Sequence, residues 1–409
     1  MAGELAVWLY GDKVAIIDED RHRPRLVYTK EAIARYRLGT PVLSLTLPLR
    51  PERYTQGVVR PFLDGLLPEG QSRLAVAGRF NVLASDSFAL VRAIGRDCAG
   101  AVVIQPDDEP APLPASTLKA ETLSEGDIEA LVANLRSAPL GVGERVRVSL
   151  GGIQEKLLVT RMTDGSWGRP VDGTPSTHIL KPEIVRFPLI VENEGLCMRL
   201  ARHLGLPVAA VETTLVGNRK VLVVERYDRI VHADGAVERI HQEDLCQATA
   251  TMPDLKYEED GGPSLRRIAG LLQTAAAPDA LDDLLRAVTV NVLIANGDAH
   301  AKNFSLLHEP SGALKLAPLY DLLCTLQYGD DRLAMCIDGV RRTNRVTAAR
   351  IANEASRWGT SKVRAATIIT DLLDRAPEAL AATCDETDGV PGELVAKIEG
   401  QLTQLRTAE

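Results

Sequence analysis

The sequence predicts an α+β chain with a sheet-rich N-terminal part and a helical C-terminal part. Three observations carry this. Short apolar runs parted by turn residues recur as far as Glu225. From about Ile240 the apolar residues move to helical spacing, with Leu265, Ile268, Leu271 and Leu272 on one face and Leu284, Leu285, Val288 and Val292 on another. The 409 residues suffice for two to three structural units at ~150 residues each.

The elements follow in order. Leu5–Tyr10 and Lys13–Ile17 flank Gly11-Asp12, a hairpin signal, and Arg25–Tyr28 extends the sheet. Pro61–Pro68 reads as a short helix and Ala101–Ile104 as another strand. Pro106–Pro114, rich in Pro and Asp, reads as a linker or surface loop, and Leu123–Leu135 as a helix. Arg145–Val148, Lys156–Thr160 and His178–Lys181 are strand-like, the last stopped by Pro182. A helix runs from about Val191 to His203. Val211–Val216 and Lys220–Glu225 form a hairpin around Gly217-Asn218-Arg219. Further helices are expected over Ala348–Trp358, Val363–Leu373, Glu378–Ala382 and Glu393–Leu405. The expected domains are residues 1–114, 115–240 and 241–409.

Composition narrows the function. The net charge of −8 argues against a chain that grips nucleic acid by counterion release. Six scattered cysteines without a Cys-x-x-Cys pair argue against a zinc site or disulfide framework, and for a reducing cytoplasm. No secretory leader and no membrane-spanning segment are expected.

Two patterns bear on phosphate chemistry. Ser149-Leu150-Gly151-Gly152-Ile153-Gln154-Glu155-Lys156 is a glycine-bearing turn between apolar runs, whose backbone N–H groups can approach a phosphate without Cβ obstruction. It lacks the Walker A spacing, and alone it reads more readily as an ordinary tight turn. Lys181 ends a short strand, where it can hold phosphate oxygens as a point charge or simply be a surface lysine. Glu192 and Glu194 on the following helix could orient it, or merely favour that helix's N-terminus.

The most informative stretch is Asn296–Leu307. It leaves an apolar helix and enters a strand that returns through Glu309–Gly312 to Pro318-Leu319-Tyr320-Asp321. A hairpin brings its ends side by side, so Asp298 and Asn303 converge with Asp321 although the two aspartates stand 23 positions apart. Hard oxygen donors so placed suit Mg²⁺ carrying nucleotide phosphates. Protein kinases space a base Asp, a metal Asn and a metal Asp in the same way. His300 could bind a metal with Asp298 or pack within the loop.

Taken together these motifs resemble the HipA toxin kinases of bacterial toxin–antitoxin modules. The resemblance runs nearly the full length. It includes Leu66-Leu67-Pro68, Ile94-Gly95-Arg96-Asp97, Ser149–Lys156, His178–Lys181, Glu192-Asn193-Glu194, Val224–Arg229, Lys256-Tyr257-Glu258, Asp260–Pro263, Asp298–Asn303 and Tyr320-Asp321. It implies a bilobal, lipid-kinase-like serine/threonine protein kinase with an all-helical C-terminal lobe. It implies ATP and Mg²⁺ as cofactors, with Asp298 as general base and Asn303 and Asp321 on the metal. Gly151, Gly152, Ile153, Gln154, Glu155 and Lys156 would cover the phosphates, and Lys181 would contact them. Glu225, Arg226 and Tyr227 would form the adenine hinge, through backbone groups and a stacked ring. His300, Lys302 and Tyr320 would line the nucleotide, and Ser149 would be the serine that such kinases phosphorylate in themselves. The doubled glycine at Gly151-Gly152 should loosen the loop.

The resemblance also implies partners. The residues before Ala115 would dock a HipB-like helix-turn-helix antitoxin, through which DNA is met only indirectly. An aminoacyl-tRNA synthetase, typically the glutamyl enzyme, would be the phosphorylated protein. Two rival readings share the site: a small-molecule or lipid kinase, and an antitoxin-bound corepressor whose kinase centre is idle.

Overall fold

The computed structural model describes residues 3–112, 120–152, 154–275, 279–309, 312–387 and 389–407. The chain forms two compact units, each built from separate segments. The first holds Met1–Pro182, Thr214–Asp254 and Leu307–Gly312, and the second holds Glu183–Thr213, Leu255–Leu306 and Ala313–Glu409.

The first unit begins with β1 (Leu5–Leu9), β2 (Asp12–Asp20) and β3 (Arg23–Tyr28). Helices α1 (Lys30–Arg35), α2 (Gln56–Leu66), α3 (Gly70–Arg79) and α4 (Ser87–Ile94) precede β4 (Val102–Pro106). The sheet order is β3-β2-β1-β4, antiparallel throughout. The first turn falls on Tyr10-Gly11, one residue earlier than expected, because both have positive φ (53° and 86°). Leu5, Val7 and Leu9 point alternately into one apolar core with Phe62, Leu63 and Leu66 of α2 and Leu90, Val91 and Ile94 of α4.

A second sheet is made of β5 (Ala120–Leu123), β6 (Leu157–Arg161), β7 (Trp167–Pro170), β8 (His178–Pro182) and the hairpin β9 (Val211–Val216) and β10 (Arg219–Glu225), in the order β5-β7-β6-β8-β10-β9. Helix α5 (Glu125–Ala133) starts at a capping box of Ser124 and Asp127. Its Ile128 and Val132 pack on Leu157, Val159, Leu180, Val221 and Val223. The strand expected at Arg145–Val148 reduces to one parallel bridge between Val148 and Asp97, flanked by Arg96 N–H to Arg147 O and Ser149 N–H to Asp97 O. Part of the proline-rich stretch lies outside the described residues, and so does Ile153.

The second unit holds α6 (Ile190–His203), α7 (Leu265–Ala275), α8 (Ala280–Leu293), α9 (Ala348–Ser356), α10 (Lys362–Glu386) and α11 (Gly392–Thr407). Two expectations fail here. The C-terminal region is not all-helical: beside the returning strand expected here, found at Leu314–Leu316, Arg332–Ile337 pairs antiparallel with Val340–Arg342. These short apolar runs lie below helix length and carry no decisive period. The helices expected at Val363–Leu373 and Glu378–Ala382 are one, running through Pro377. A proline costs an interior helix ~3 kcal/mol. Buried Leu372, Leu373, Ala376, Ala379 and Leu380 on both sides of it hold the axis continuous. Among the described residues no helix is long and apolar enough to cross a membrane.

Candidate active site

The second unit assembles the catalytic loop at the end of α8. Ala295 leaves the helix with a left-handed φ of 51°, and Asn296 donates from its amide to Asn291 Oδ1 at 2.8 Å. The Asn296 amide oxygen in turn accepts the Asp298 N–H at 3.0 Å. Gly297 has no room for a side chain: a Cβ would lie 2.3 Å from the Arg332 carbonyl oxygen. Its N–H donates to Thr325 Oγ1 at 2.8 Å, and its carbonyl accepts from Ala334 N–H at 2.8 Å. Asp298 is thus set on a rigid turn.

The rest of the loop folds over that turn. The Asp298 carbonyl accepts the His300 N–H at 2.7 Å and the Asn303 side-chain N–H at 2.9 Å. The five-residue step read in the sequence is therefore closed by a hydrogen bond. Ala317 N–H donates to Ser305 O at 2.8 Å, which draws the returning chain alongside. Tyr320 donates to the Lys302 carbonyl at 2.6 Å, and having one proton it accepts from the Ser305 hydroxyl at 2.7 Å. His300 and Lys302 are buried.

Asp321 follows with a left-handed φ of 58°. A non-glycine residue held there is strained, so its neighbours must fix it. Leu319 on one side bonds Pro207 and Ala209 through N–H to O contacts of 2.8 and 2.9 Å. Asn193 of α6 grips Cys324 on the other, accepting its N–H at 2.8 Å and donating to its carbonyl at 3.0 Å. The buried Asn193 amide acts here as a two-point backbone clamp, a role that residue type alone did not disclose.

The two aspartates feel each other. Asp298 is pushed up to about 6: burial is the largest cause and the charge of Asp321 adds to it, while the Tyr257 hydrogen bond and the Lys256 ammonium oppose. The side chain still keeps 43% of its surface open. The protein packed around the loop therefore raises its proton affinity without sealing it from an incoming group. Mutual repulsion between carboxylates, beside an amide oxygen, is the donor chemistry of a hard divalent cation, and Asn303 and Asp321 fit one.

The glycine loop, Lys181 and the hinge residues belong to the first unit. Lys181 lies on β8 opposite Leu222 of β10 and is 7% exposed, on the face opposite the one where Leu180 meets Leu157 and Val223. The described residues of the loop are tethered by hydrogen bonds. Gly152 sits at a φ of 105° and donates to Glu69 Oε1 at 3.0 Å, while Glu69 N–H donates back to Gly152 O at 3.3 Å. The Lys156 ammonium donates to Gly151 O at 2.7 Å, and Glu155 pairs with Arg136. Gln154 is half-buried. Ser149 is fully buried, its hydroxyl donating to Leu66 O at 2.6 Å. The Leu66–Glu69 turn, known in the sequence only as a matching motif, is thus what fastens this loop.

Of the hinge residues, Glu225 is exposed at the end of β10, and Tyr227 donates its hydroxyl to Gln242. The Arg226 N–H is taken by Thr177 O at 2.9 Å. Its guanidinium is buried, reaching Asp228 at 2.8 Å, Ser176 Oγ at 2.8 Å and Cys98 O at 2.9 Å. Arg226 is therefore bound into a buried charge cluster with Asp97, Asp228, Arg229 and Arg239. The Glu225–Tyr227 segment, expected to be the adenine hinge, thus has its middle residue held by that cluster.

The chain is similar to known proteins along nearly its whole length. The chain matches the HipA-like C-terminal domain over residues 148–380 and the HipA N-terminal domain over residues 5–105. It is 41% identical to the protein Y4mE of Sinorhizobium fredii, covering 94% of this chain and 92% of that one. It is 32% identical to the serine/threonine-protein kinase toxin HipA of Shewanella oneidensis, covering 83% and 80%. Among solved structures, the Shewanella oneidensis toxin–antitoxin complex of HipA, HipB and operator DNA superposes with a TM-score of 0.81 at 27% identity, over 98% of this chain and 95% of that one.

Proposed function

The chain belongs to the HipA family of toxin kinases and is a protein kinase, and from that premise we propose how it works and on what. It transfers the γ-phosphate of ATP to a serine hydroxyl of a protein. One observation carries this reading: a braced loop closes Asn303 on Asp298 and the returning chain sets the Asp321 charge near Asp298, which stays partly open. Asp298 is the general base. Asn303 and Asp321 hold Mg²⁺, which neutralises charge on the phosphates when bound. Lys181, the Gly151–Lys156 loop, His300, Lys302 and Tyr320 hold the phosphates, and the Glu225–Tyr227 hinge holds the adenine. Such a transfer needs positioning and charge more than covalent chemistry.

The resemblance supports an aminoacyl-tRNA synthetase, such as the glutamyl enzyme, as acceptor, with growth arrest and persistence as the outcome in the cytoplasm. The relative solved with HipB and operator DNA supports a HipB-like antitoxin partner, and the family resemblance supports its docking on the residues before Ala115, with DNA met through that partner. Autophosphorylation at Ser149 inactivates the enzyme. Since Ser149 is buried, its hydroxyl on Leu66 O, the serine becomes an acceptor only once the loop leaves that place.

The test is phosphate transfer from radiolabelled ATP. Asp298→Asn and Asp321→Ala each abolish it, and Asp321→Ala also loses Mg²⁺-dependent ATP affinity. Wild-type rates in both variants would overturn the site. An inactive wild-type protein that still joins antitoxin and DNA would favour the corepressor reading.

A further inference from the structure

Lys256-Tyr257-Glu258 has no role in the function derived above, yet the fold spends much on placing it. The segment lies in the second unit, with the catalytic loop. The Lys256 carbonyl accepts the Ala301 N–H at 3.4 Å. Glu258 Oε2 accepts the Cys336 N–H at 2.6 Å. The Tyr257 carbonyl accepts the N–H groups of Asp260 and Gly262 at 3.1 and 2.9 Å. Gly262 must be glycine, because a Cβ there would stand 2.2 Å from Leu255 O. The chain on both sides of Tyr257 is thus tied down, and its ring stands edge-on to His300 with centroids 5.2 Å apart at 84°.

The phenol so held donates to Asp298 Oδ1 at 2.5 Å. His300 Nε2 approaches the same oxygen at 3.9 Å. One carboxylate oxygen is therefore engaged from within the protein, while the side chain as a whole keeps 43% of its surface open.

We propose that Tyr257 is a positioning residue for phosphoryl transfer: its phenol holds Asp298 Oδ1, so that Oδ2 alone faces the acceptor hydroxyl and takes its proton. The inference rests on Asp298 being the general base. In the step, the acceptor oxygen forms a bond to the γ-phosphorus while the bond from that phosphorus to the bridging oxygen of ADP breaks. The hydroxyl proton moves to Oδ2, and ADP leaves. A carboxylate free to rotate about its terminal torsion would present its oxygens in turn. A donor fixed on one oxygen stops that rotation.

The experiment measures ATP hydrolysis and phosphate transfer by the full-length protein carrying Tyr257→Phe, with Asp298→Asn and the double variant beside it. Slow variants are followed in single turnover at high enzyme concentration. The expected result is a kcat lowered about 10- to 100-fold, as misplacing a reacting group by ~1 Å costs, with KM for ATP within about twofold of wild type. Adding Tyr257→Phe to Asp298→Asn should change the residual rate less than about twofold, since the phenol acts only through the carboxylate. Three results would overturn the inference: an unchanged kcat, a loss shared between kcat and ATP binding, or a further tenfold loss in the double variant. If the double variant falls below detection, the split between kcat and KM decides. An active Asp298→Asn protein would instead overturn the base assignment, so the two failures are distinct.

Discussion

Replacing Asp97 by alanine should collapse the first unit. Asp97 is fully buried. Its Oδ2 accepts the Ser176 N–H at 2.9 Å and the Ser176 hydroxyl at 2.6 Å, and its Oδ1 accepts from Arg229 at 2.9 Å. Arg239 and Arg226 stand at 3.4 and 3.5 Å. Burial pushes its carboxyl up, but Arg229, Arg226 and Arg239 together pull it below the usual range, so it is ionised in the native state. Without it Arg226 and Arg229, both almost wholly buried, share Asp228 alone, and Arg239 loses its carboxylate neighbour. Removing one partner of a buried ion pair costs ~3–5 kcal/mol because the other charge is left uncompensated. A domain has only ~5–15 kcal/mol in all. Far-UV circular dichroism in urea should show the midpoint falling by at least ~1 M, given slopes of ~1–3 kcal/mol per molar. Asp97→Asn keeps the Ser176 contacts and should lose less. The stabilisation from Asp97 is present above the unfolded carboxyl value and is lost as pH falls through its lower native value. A midpoint shift below ~0.3 M for Asp97→Ala would refute the reasoning.

Glu69→Ala should release the glycine loop. A hydrogen bond to a charged group contributes ~1.5–3 kcal/mol, so hydrogen exchange of the Gly152 amide should accelerate by at least ~10-fold, and unchanged protection would disprove the tether. His241 should make the first unit acid-labile. Burial and the neighbouring His308 push its ring down to about 3, so below an unfolded value of 6.5 the unfolded chain takes up a proton that the native one refuses. Stability should therefore fall as pH drops from 6.5 toward 3. His241→Asn should flatten that slope in denaturation at pH 6.5 and 4.5, and an equal slope in both proteins would count against it.

The site's acidic residues were legible because they cluster around one hairpin. Asp298, Asn303 and Asp321 sit close enough in the chain for the hairpin alone to bring them together, and local hydrogen bonds such as Asn303 to the Asp298 carbonyl complete the work. The residues that brace them were not. Tyr257 lies 41 positions from Asp298, and the Asn193 side chain meets the Cys324 backbone across 131. A tyrosine or an asparagine has many uses, and nothing in its type says which.

Period and turn chemistry determined most strands and helices of this chain, since 2.0 and 3.6 residue repeats are local properties of the backbone. They also determined the order of the catalytic groups. Only the tertiary structure decided that Pro377 lies inside a continuous α10, where packing on both sides outweighs a lost hydrogen bond. It also decided that Arg226, read as part of a nucleotide hinge, spends its guanidinium in a buried cluster with Asp97 and Asp228. Ser149 is the same kind of case: a strand-end serine in sequence, it is sealed because the distant Leu66 carbonyl takes its hydroxyl. The physical reason is common to all three. Desolvation and packing depend on what the whole chain gathers around a group, and that neighbourhood is not written in the residues beside it.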